Sequence, residues 1–187
     1  MIKVDDFKQW NQDDINDTNF FMIVVGYNPK NKDYYIDNNG FGLECEIEDR
    51  DLFVNILTDE INAVIGNKFI VKLENSKFSW FPDWLINEYT NIDYIKNYLD
   101  SINWKQNSYI GDFEIDNIKE FLNVFIDYPQ KFKYQDIELY SKITDFLCVI
   151  SRHGTFWFVA KNIVELRKIA KRLDDKDVLV FPRKYLS

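Results

Sequence analysis

The sequence predicts an α+β fold, in which four to five helices pack on a mainly antiparallel sheet within a single domain. Apolar residues repeat with a period of two in some segments and with a helical period in others, without the regular alternation of a βαβ fold. Hairpin turns also recur along the chain, which favours antiparallel strands. The chain has 187 residues, 46% of them hydrophobic, enough for one core. We therefore expect one domain over residues 1–187, with a minor seam near 128–135 as the only candidate boundary.

The first part of the chain combines strand and helix patterns. Its predicted elements are a short helix over residues 4–15, a central strand over 20–27 and a hairpin over 34–48. A long helix over 51–65 and a further strand over 69–73 follow. The central strand is a continuous apolar run, as in a buried strand. The hairpin turns at Asn39-Gly40, a dipeptide that tolerates the positive φ angles of a tight turn. Gly66 is suited to end the long helix.

The second part of the chain contains further helices and strands. The predicted elements are an aromatic loop that leads into a helix over residues 78–84, two helices over 92–102 and 116–128, and a strand over 138–144. After a turn, the sequence predicts a strand over 155–160, a helix over 162–173 and a last strand over 178–181. Pro82 suits a first helical turn, and Asp116 is the predicted N-cap of the helix that follows it. The pattern of the strand at 138–144 extends to Ile150. Asn162 and Glu165 have the spacing of a capping box.

Composition excludes several classes of protein. The 16 Phe, 11 Tyr and 5 Trp are too many for a disordered chain. The longest apolar run, over residues 20–25, is much shorter than the roughly 20 residues of a membrane-spanning helix. No signal peptide pattern opens the sequence, and Cys45 and Cys148 lie in apolar stretches that suit free thiols. We expect a cytoplasmic protein that does not bind membranes.

Charge is unevenly distributed along the chain. The net charge is −8, which disfavours nonspecific nucleic-acid binding. Residues 1–128 contain 24 acidic and 11 basic side chains, a net charge of −13, whereas residues 129–187 have a net charge of +5. Two interpretations remain open. The acidic part forms a surface that attracts a basic protein partner, or the basic third neutralises it within the molecule.

Sequence motifs give little support to catalysis. The chain contains no phosphate-binding loop, nucleophile elbow or HExxH motif, and one histidine with two distant cysteines does not suffice for a zinc site. We therefore expect no metal, no cofactor and no catalytic residues. The alternative is a carboxylate-dependent hydrolase or regulatory enzyme in which Arg152 and His153 line the site, with His153 as general base. The competing interpretation of His153 is an exposed turn residue.

Two clusters suit partner binding. The first, here called the acidic ladder, places Glu44, Glu46 and Glu48 on one face of a predicted strand, about 6.6 Å apart, and Asp49 and Asp51 extend it. The second is aromatic with one carboxylate, a composition typical of protein interfaces; its members are Trp80, Phe81, Asp83 and Trp84. Each cluster also has a structural interpretation, as a solvated strand face or as a cover for the core. Basic residues on the predicted last helix, such as Lys168 and Arg172, fit an ordinary solvated face.

These observations predict a non-enzymatic, acidic binding or inhibitor protein. Ala, Gly, Pro and Arg together number only 18, which indicates an AT-rich gene of the kind common in bacteria. The most concrete form of the prediction is a bacterial toxin-immunity protein that covers a basic toxin such as a nuclease. A DNA mimic that occupies a nucleic-acid-binding groove is a further alternative. The sequence does not define the partner or the oligomeric state.

Overall fold

The computed structural model describes residues 21–27, 50–66, 68–75, 79–88, 93–102, 113–132, 134–141, 143–152, 154–181 and 186. The predicted helix at 4–15 and the predicted hairpin at 34–48 lie outside these residues. Within them, strands and helices are interspersed along the chain. The predicted α+β class with a mainly antiparallel sheet is confirmed.

A seven-stranded sheet with antiparallel pairing throughout forms the centre of the fold, in the order β3-β2-β4-β5-β6-β1-β7. The strands are β1 Phe21–Tyr27, β2 Phe69–Leu73, β3 Phe113–Ile115, β4 Ile137–Ser141, β5 Phe146–Ile150, β6 Phe156–Ala160 and β7 Val178–Phe181. The predicted central strand is confirmed as interior, because β1 pairs with β6 on one side and β7 on the other. Within the described residues, the three-residue β3 pairs only with β2 and ends the sheet.

Helices cover one face of this sheet. They are α1 Arg50–Ile65, α2 Asp83–Glu88, α3 Asp93–Ser101, α4 Ile118–Phe125, α5 Tyr128–Phe132 and α6 Ile163–Asp174. All of them contribute to one apolar core together with alternate strand residues such as Ile23 and Val25. On the opposite face of the sheet, Leu147 and Val149 are also buried. No helix in the described part of the chain is both long enough and apolar enough to cross a bilayer.

Local signals set several helix ends as the sequence predicts. Gly66 follows α1 with a φ of +87°, which is a backbone conformation that glycine adopts without strain. The side chain of Asn162 accepts a hydrogen bond from the backbone N–H of Val164 and caps α6. The cap of α4 differs from the prediction by one residue: Asn117, not Asp116, accepts the N–H of Glu120.

The strand predicted from 138 to 144, with a pattern reaching 150, is two strands. β4 and β5 pair as a hairpin, with Ile137 opposite Ile150. The turn between them contains no glycine or proline, so composition does not mark it. Residues 128–135, the predicted seam, include α5, and its Tyr128 and Phe132 are buried in the core.

Candidate functional site

The acidic ladder lies largely outside the described residues, which include neither Glu44, Glu46, Glu48 nor Asp49. Its last member, Asp51, is exposed in the first turn of α1. The Asp51 carboxylate lies 4.0 Å from the guanidinium of Arg50, and 90% of its side-chain surface is exposed. Because water screens an exposed pair at this distance, Arg50 neutralises little of the charge of Asp51.

The predicted aromatic cluster divides into a buried pair and an exposed pair. Trp80 and Phe81 have only 0% and 3% of their surface exposed. The Trp80 ring packs edge-on against Phe125 at 5.5 Å between ring centroids, and its backbone carbonyl accepts the hydroxyl hydrogen of Tyr128. Large aromatic rings bury much apolar surface, which stabilises the core. Trp80 and Phe81 are therefore core residues rather than partner-binding residues, which corrects that part of the prediction.

Trp84 and Asp83 are exposed at the beginning of α2. Trp84 keeps 43% of its surface exposed, while its ring packs edge-on against Tyr134 at 5.5 Å. The Tyr134 hydroxyl in turn donates a hydrogen bond of 2.8 Å to the backbone carbonyl of Ser79. The indole is thus held by a neighbour that is itself fixed, so its contact with a partner would cost little conformational entropy.

A second exposed aromatic ring lies near the same group of tyrosines. Tyr94, at 47% exposure, has a raised pKa because of partial burial and the carboxylate of Asp127, with Arg50 acting in the opposite direction. Burial raises the pKa of Tyr128 as well, and both Tyr134 and Tyr94 are close enough to contribute. Both tyrosines are therefore close to Tyr128.

We define the aromatic–acidic surface as a set of exposed residues at the beginnings of α1, α2 and α3. They are Trp84, Tyr94, Asp51, Asp83 and Asp93. The three aspartates lie in the first turns of α1, α2 and α3, where a carboxylate also interacts favourably with the helix dipole. Asp83 and Asp93 form no ion pair with a described cation, and Arg50, 4.0 Å from Asp51, has closer contacts with Asp127 at 2.6 Å from its Nε and with the carbonyl of Asn123, which accepts its Nη2 at 2.5 Å.

Exposed carboxylates outnumber exposed amines on the described part of residues 50–127, by eight to two. The carboxylates are Asp51, Asp59, Asp83, Asp93, Asp100, Glu114, Asp116 and Glu120, and the amines are Lys68 and Lys119. Among them Asp59, Asp83, Asp93, Asp100 and Asp116 form no ion pair with a cation of the described part of the chain. The described surface of the acidic part is therefore negative.

Some carboxylates of the acidic part are neutralised by the basic third. Glu60 of α1 is buried and accepts Arg172 at 2.7 Å and Lys176 at 3.2 Å. Glu74, half-buried after β2, accepts Arg152 at 2.7 Å. Internal neutralisation thus occurs at a buried and a half-buried carboxylate, while the exposed aspartates named above take no part in it.

Arg152, the residue on which the catalytic alternative depends, lies between two carboxylates. Its Nη2 is 2.7 Å from Glu74 and its Nε is 3.4 Å from Asp136, whose carboxylate also accepts the Arg152 backbone N–H at 2.7 Å. The Asp136 carbonyl accepts the backbone N–H of Glu74 at 2.8 Å. This arrangement connects the ends of β2, β4 and β5. His153 lies outside the described residues, so the predicted pairing of the two side chains stays a prediction.

A groove that the sequence did not reveal lies between α3, β3 and α4. It has a volume of about 420 Å³. It is lined by Lys68, Tyr98, Ser101, Ile102, residues 114–117 and Glu120. Its side chains come from elements that only the β2–β3 pairing and the packing of α3 on α4 bring together. No local spacing pattern connects them, so no sequence signal was available.

Two further features of the described residues bear on metal binding and nucleophilic chemistry. Among the described residues, no three or more His, Cys, Asp and Glu side chains are grouped so as to hold a metal ion. Cys148 is fully buried, and burial raises the pKa of its thiol well above the usual range, which makes it inert. No protein-family model, no curated protein and no solved structure matches this chain.

Proposed function

We propose that this protein binds a basic protein partner through the aromatic–acidic surface and so neutralises it. The observation that carries the proposal is the exposed Trp84, held by Tyr134, together with the exposed Asp83 and Asp93, which form no ion pair with a described cation, and Asp51, which is 4.0 Å from Arg50. The concrete form is a cytoplasmic, bacterial toxin-immunity protein that covers a basic toxin such as a nuclease. It acts by contact and contributes no chemistry to a reaction.

Two physical effects support this function. Exposed like charges repel one another, and a cationic surface brought against them removes that repulsion while it speeds association by long-range attraction. A tryptophan is among the residues whose truncation most weakens protein interfaces, because its large ring is fully desolvated on binding. Trp84 is ready for such a contact, since packing against Tyr134 already restricts its rotamers.

The positions of the internal ion pairs also support the proposal. Three cations of the basic third, Arg152, Arg172 and Lys176, pair with Glu60 and Glu74 of the acidic part. Those pairs connect elements that are distant in sequence. They leave the aspartates of the aromatic–acidic surface available to an external cation.

The test is capture of partners from the native cell with matched bait proteins. Wild type, Trp84→Ala and the triple variant Asp51→Asn/Asp83→Asn/Asp93→Asn serve as baits. The control Val164→Ala truncates a different exposed apolar side chain, which is 55% exposed on α6. We expect wild type and control to enrich the same strongly basic protein and both surface variants to lose it. The purified partner should then bind more weakly as salt rises and lose its own activity on binding.

The opposite results would refute the proposal. They are a partner that is not basic, retention of the partner by Trp84→Ala and the triple variant, or a complex in which the partner stays fully active. The acidic ladder is tested separately with the same purified partner. Reversal of Glu44, Glu46 and Glu48 to lysine should weaken binding by well over tenfold, on the order of 1.4 kcal/mol or more. Unchanged affinity would exclude the ladder from the interface.

A further inference from the structure

We propose that residues 28–49 of this chain cover the face of the sheet opposite the helices and turn the glutamates of the acidic ladder towards solvent. All described helices contribute to the core on the first face, yet the second face is apolar and buried as well. The inference goes beyond the proposed function, because it holds whether or not the aromatic–acidic surface binds a partner.

The second face of the sheet is a surface of apolar strand residues. Side chains that alternate with the core residues along each strand form a separate group, here called the second-face cluster. Its buried members are Tyr140, Leu147, Val149 and Val159, each at most 3% exposed, and Met22, Ile70 and Trp157 pack against them. These residues belong to five adjacent strands of the sheet, β2, β4, β5, β6 and β1.

The burial of this cluster requires a cover. In an antiparallel sheet with helices on one face, the side chains of the other face are normally solvated, whereas Leu147 and Val159 are both 0% exposed. Even a carboxylate is enclosed here, because Glu138 is 2% exposed and accepts the hydroxyl hydrogen of Tyr140 at 2.5 Å. Among the described residues, no helix residue belongs to the second-face cluster. Since this burial exists within one copy of the chain, the cover comes from its remaining residues.

Residues 28–49 fit this position by their length and by the elements to which they are joined. They connect Tyr27, the last residue of β1, with Arg50, the first residue of α1. β1 is itself one of the five strands that carry the second-face cluster. An extended arm of about seven residues reaches about 23 Å, whereas five strands at their usual spacing span about 19 Å. The two arms of the predicted hairpin are therefore long enough to cross the whole cluster.

The residue pattern of the second predicted arm matches the surface that it would cover. Leu43, Cys45 and Ile47 alternate with the glutamates of the acidic ladder, so one side of the arm is apolar and the other is charged. A two-stranded hairpin is not stable alone in water and needs an apolar surface to pack on. The second-face cluster is such a surface. When the apolar side packs on it, the glutamates point away from the sheet and their charges stay in water.

Residues 1–20 are the competing cover. The helix predicted there has Val4 and Phe7 on one face, but its other positions are rich in asparagine and aspartate. This segment is joined to the described fold through β1 alone. Residues 28–49 are instead held at both ends and have a continuous one-sided apolar pattern, which is why we assign the cover to them.

Thiol labelling of the full chain tests which side of the arm is covered. In Cys148→Ala the only thiol is that of Cys45. In Glu44→Cys/Cys45→Ser/Cys148→Ala the only thiol is one position earlier, on the opposite side of the predicted strand. We expect Ellman's reagent to label Cys45 at least about 100-fold more slowly than position 44 in the folded proteins, and both at the same rate in urea. Equal rates in the folded proteins, or faster labelling of Cys45, would overturn the proposal.

Photo-cross-linking from the sheet identifies the covering segment independently of these variants. Replacement of Trp157 by p-benzoylphenylalanine places a photoreactive ketone on the second face. The same replacement of Val164, which is 55% exposed on α6, is the matched control. We expect irradiation to join position 157 to residues 28–49 within one chain, and the control to give no such product. A cross-link from position 157 to residues 1–20 or 103–112, or between two chains, would overturn the proposal. Failure of the proposed function in the capture experiment would leave both measurements unchanged.

Discussion

The ion pairs between α1 and α6 give the sharpest prediction on stability. The carboxylate of Glu60 is buried, with 4% of its side-chain surface exposed, whereas Arg172 and Lys176 keep 43% and 38%. The perturbation is Arg172→Met, which preserves a long apolar stem and a good helix former but removes the guanidinium. The buried carboxylate then keeps only the Lys176 contact at 3.2 Å.

The magnitude follows from what remains buried. Both Nε and Nη2 of Arg172 contact the same oxygen of Glu60, at 2.8 and 2.7 Å. Loss of the guanidinium leaves that oxygen without a partner among the described residues. Leaving a charged group unpaired in the interior costs about 3–5 kcal/mol when no other charge remains. Because Lys176 remains and water reaches both cations, we expect a loss of about 2 kcal/mol in the free energy of unfolding.

Removing the buried charge itself should cost less. Glu60→Gln keeps the shape of the side chain, and the two cations can turn to water because both are more than a third exposed. We expect a loss of about 1 kcal/mol. The double variant Glu60→Gln/Arg172→Met should lose less than the sum of the single variants, since both remove the same contact. Lys168→Met is the matched control on α6, because its pair with Glu165 is exposed on both sides, and we expect a loss below about 0.5 kcal/mol.

Urea unfolding followed by circular dichroism measures these differences. For a chain of this length, about 2 kcal/mol corresponds to a fall of roughly 4–8 °C in Tm, so thermal unfolding provides an independent check. The reasoning is refuted if Arg172→Met is no more destabilising than Lys168→Met. It is also refuted if the two single losses add fully in the double variant.

Three further predictions concern single groups of the core and its edge. In a Cys45→Ser variant, the Cys148 thiol should not react with Ellman's reagent until the protein unfolds, because it is fully buried; labelling at the rate of a free thiol would contradict this. Because the pKa of Tyr128 is raised in the folded state, its stabilising contribution is present below the ordinary value of 10.0 and falls as pH rises above it. Urea unfolding should therefore show falling stability as pH rises towards 11, and Tyr128→Phe should remove about 1 kcal/mol of that decrease, while the raised pKa values of Tyr94, Tyr98 and Tyr134 maintain the rest; equal pH dependence in this variant would argue against the assignment. Gly66→Ala should destabilise by about 1–2 kcal/mol, since it forces a side chain onto a φ of +87° and brings the new Cβ within 3.0 Å of Ile143; an unchanged urea midpoint would count against it.

Local sequence signals predict most of the described elements, because the buried residues of each element repeat with a single period. The stripe at 51–65 predicts α1 with nearly correct ends, and Gly66 ends it as expected. The same reasoning failed for the hairpin of β4 and β5. All five residues of each strand are buried, so no polar face marks the change of direction. A turn without glycine, proline or asparagine then leaves no compositional signal.

The candidate sites were less predictable because tertiary structure creates them. Spacing alone could not separate Trp80 from Trp84, four residues apart, although one is buried and the other exposed. The short helix α2 begins between them, and it fixes which ring faces the core. The groove between α3, β3 and α4 is lined by Tyr98 and Glu120, which the packing of α3 on α4 brings together. Residue types predict an acidic binding protein, and only the fold separates the buried from the exposed residues among its candidate sites.

The positions of the paired cations in this molecule help to explain why its described acidic surface is negative. A cation that pairs with a buried carboxylate prevents an unpaired charge in the interior, which would lower the free energy of unfolding by several kcal/mol. An exposed pair contributes only about 0–1 kcal/mol to that free energy. Stability alone therefore favours placing Arg172 and Lys176 at Glu60, as observed, rather than on the exposed aspartates. The helix dipole stabilises Asp83, Asp93 and Asp116 near the N-termini of α2, α3 and α4, but it gives no reason to keep Asp59 and Asp100 exposed without a described cation. Under the proposed function a basic partner would supply that reason, since it would neutralise these charges only in the complex and their repulsion in the free protein would then favour binding.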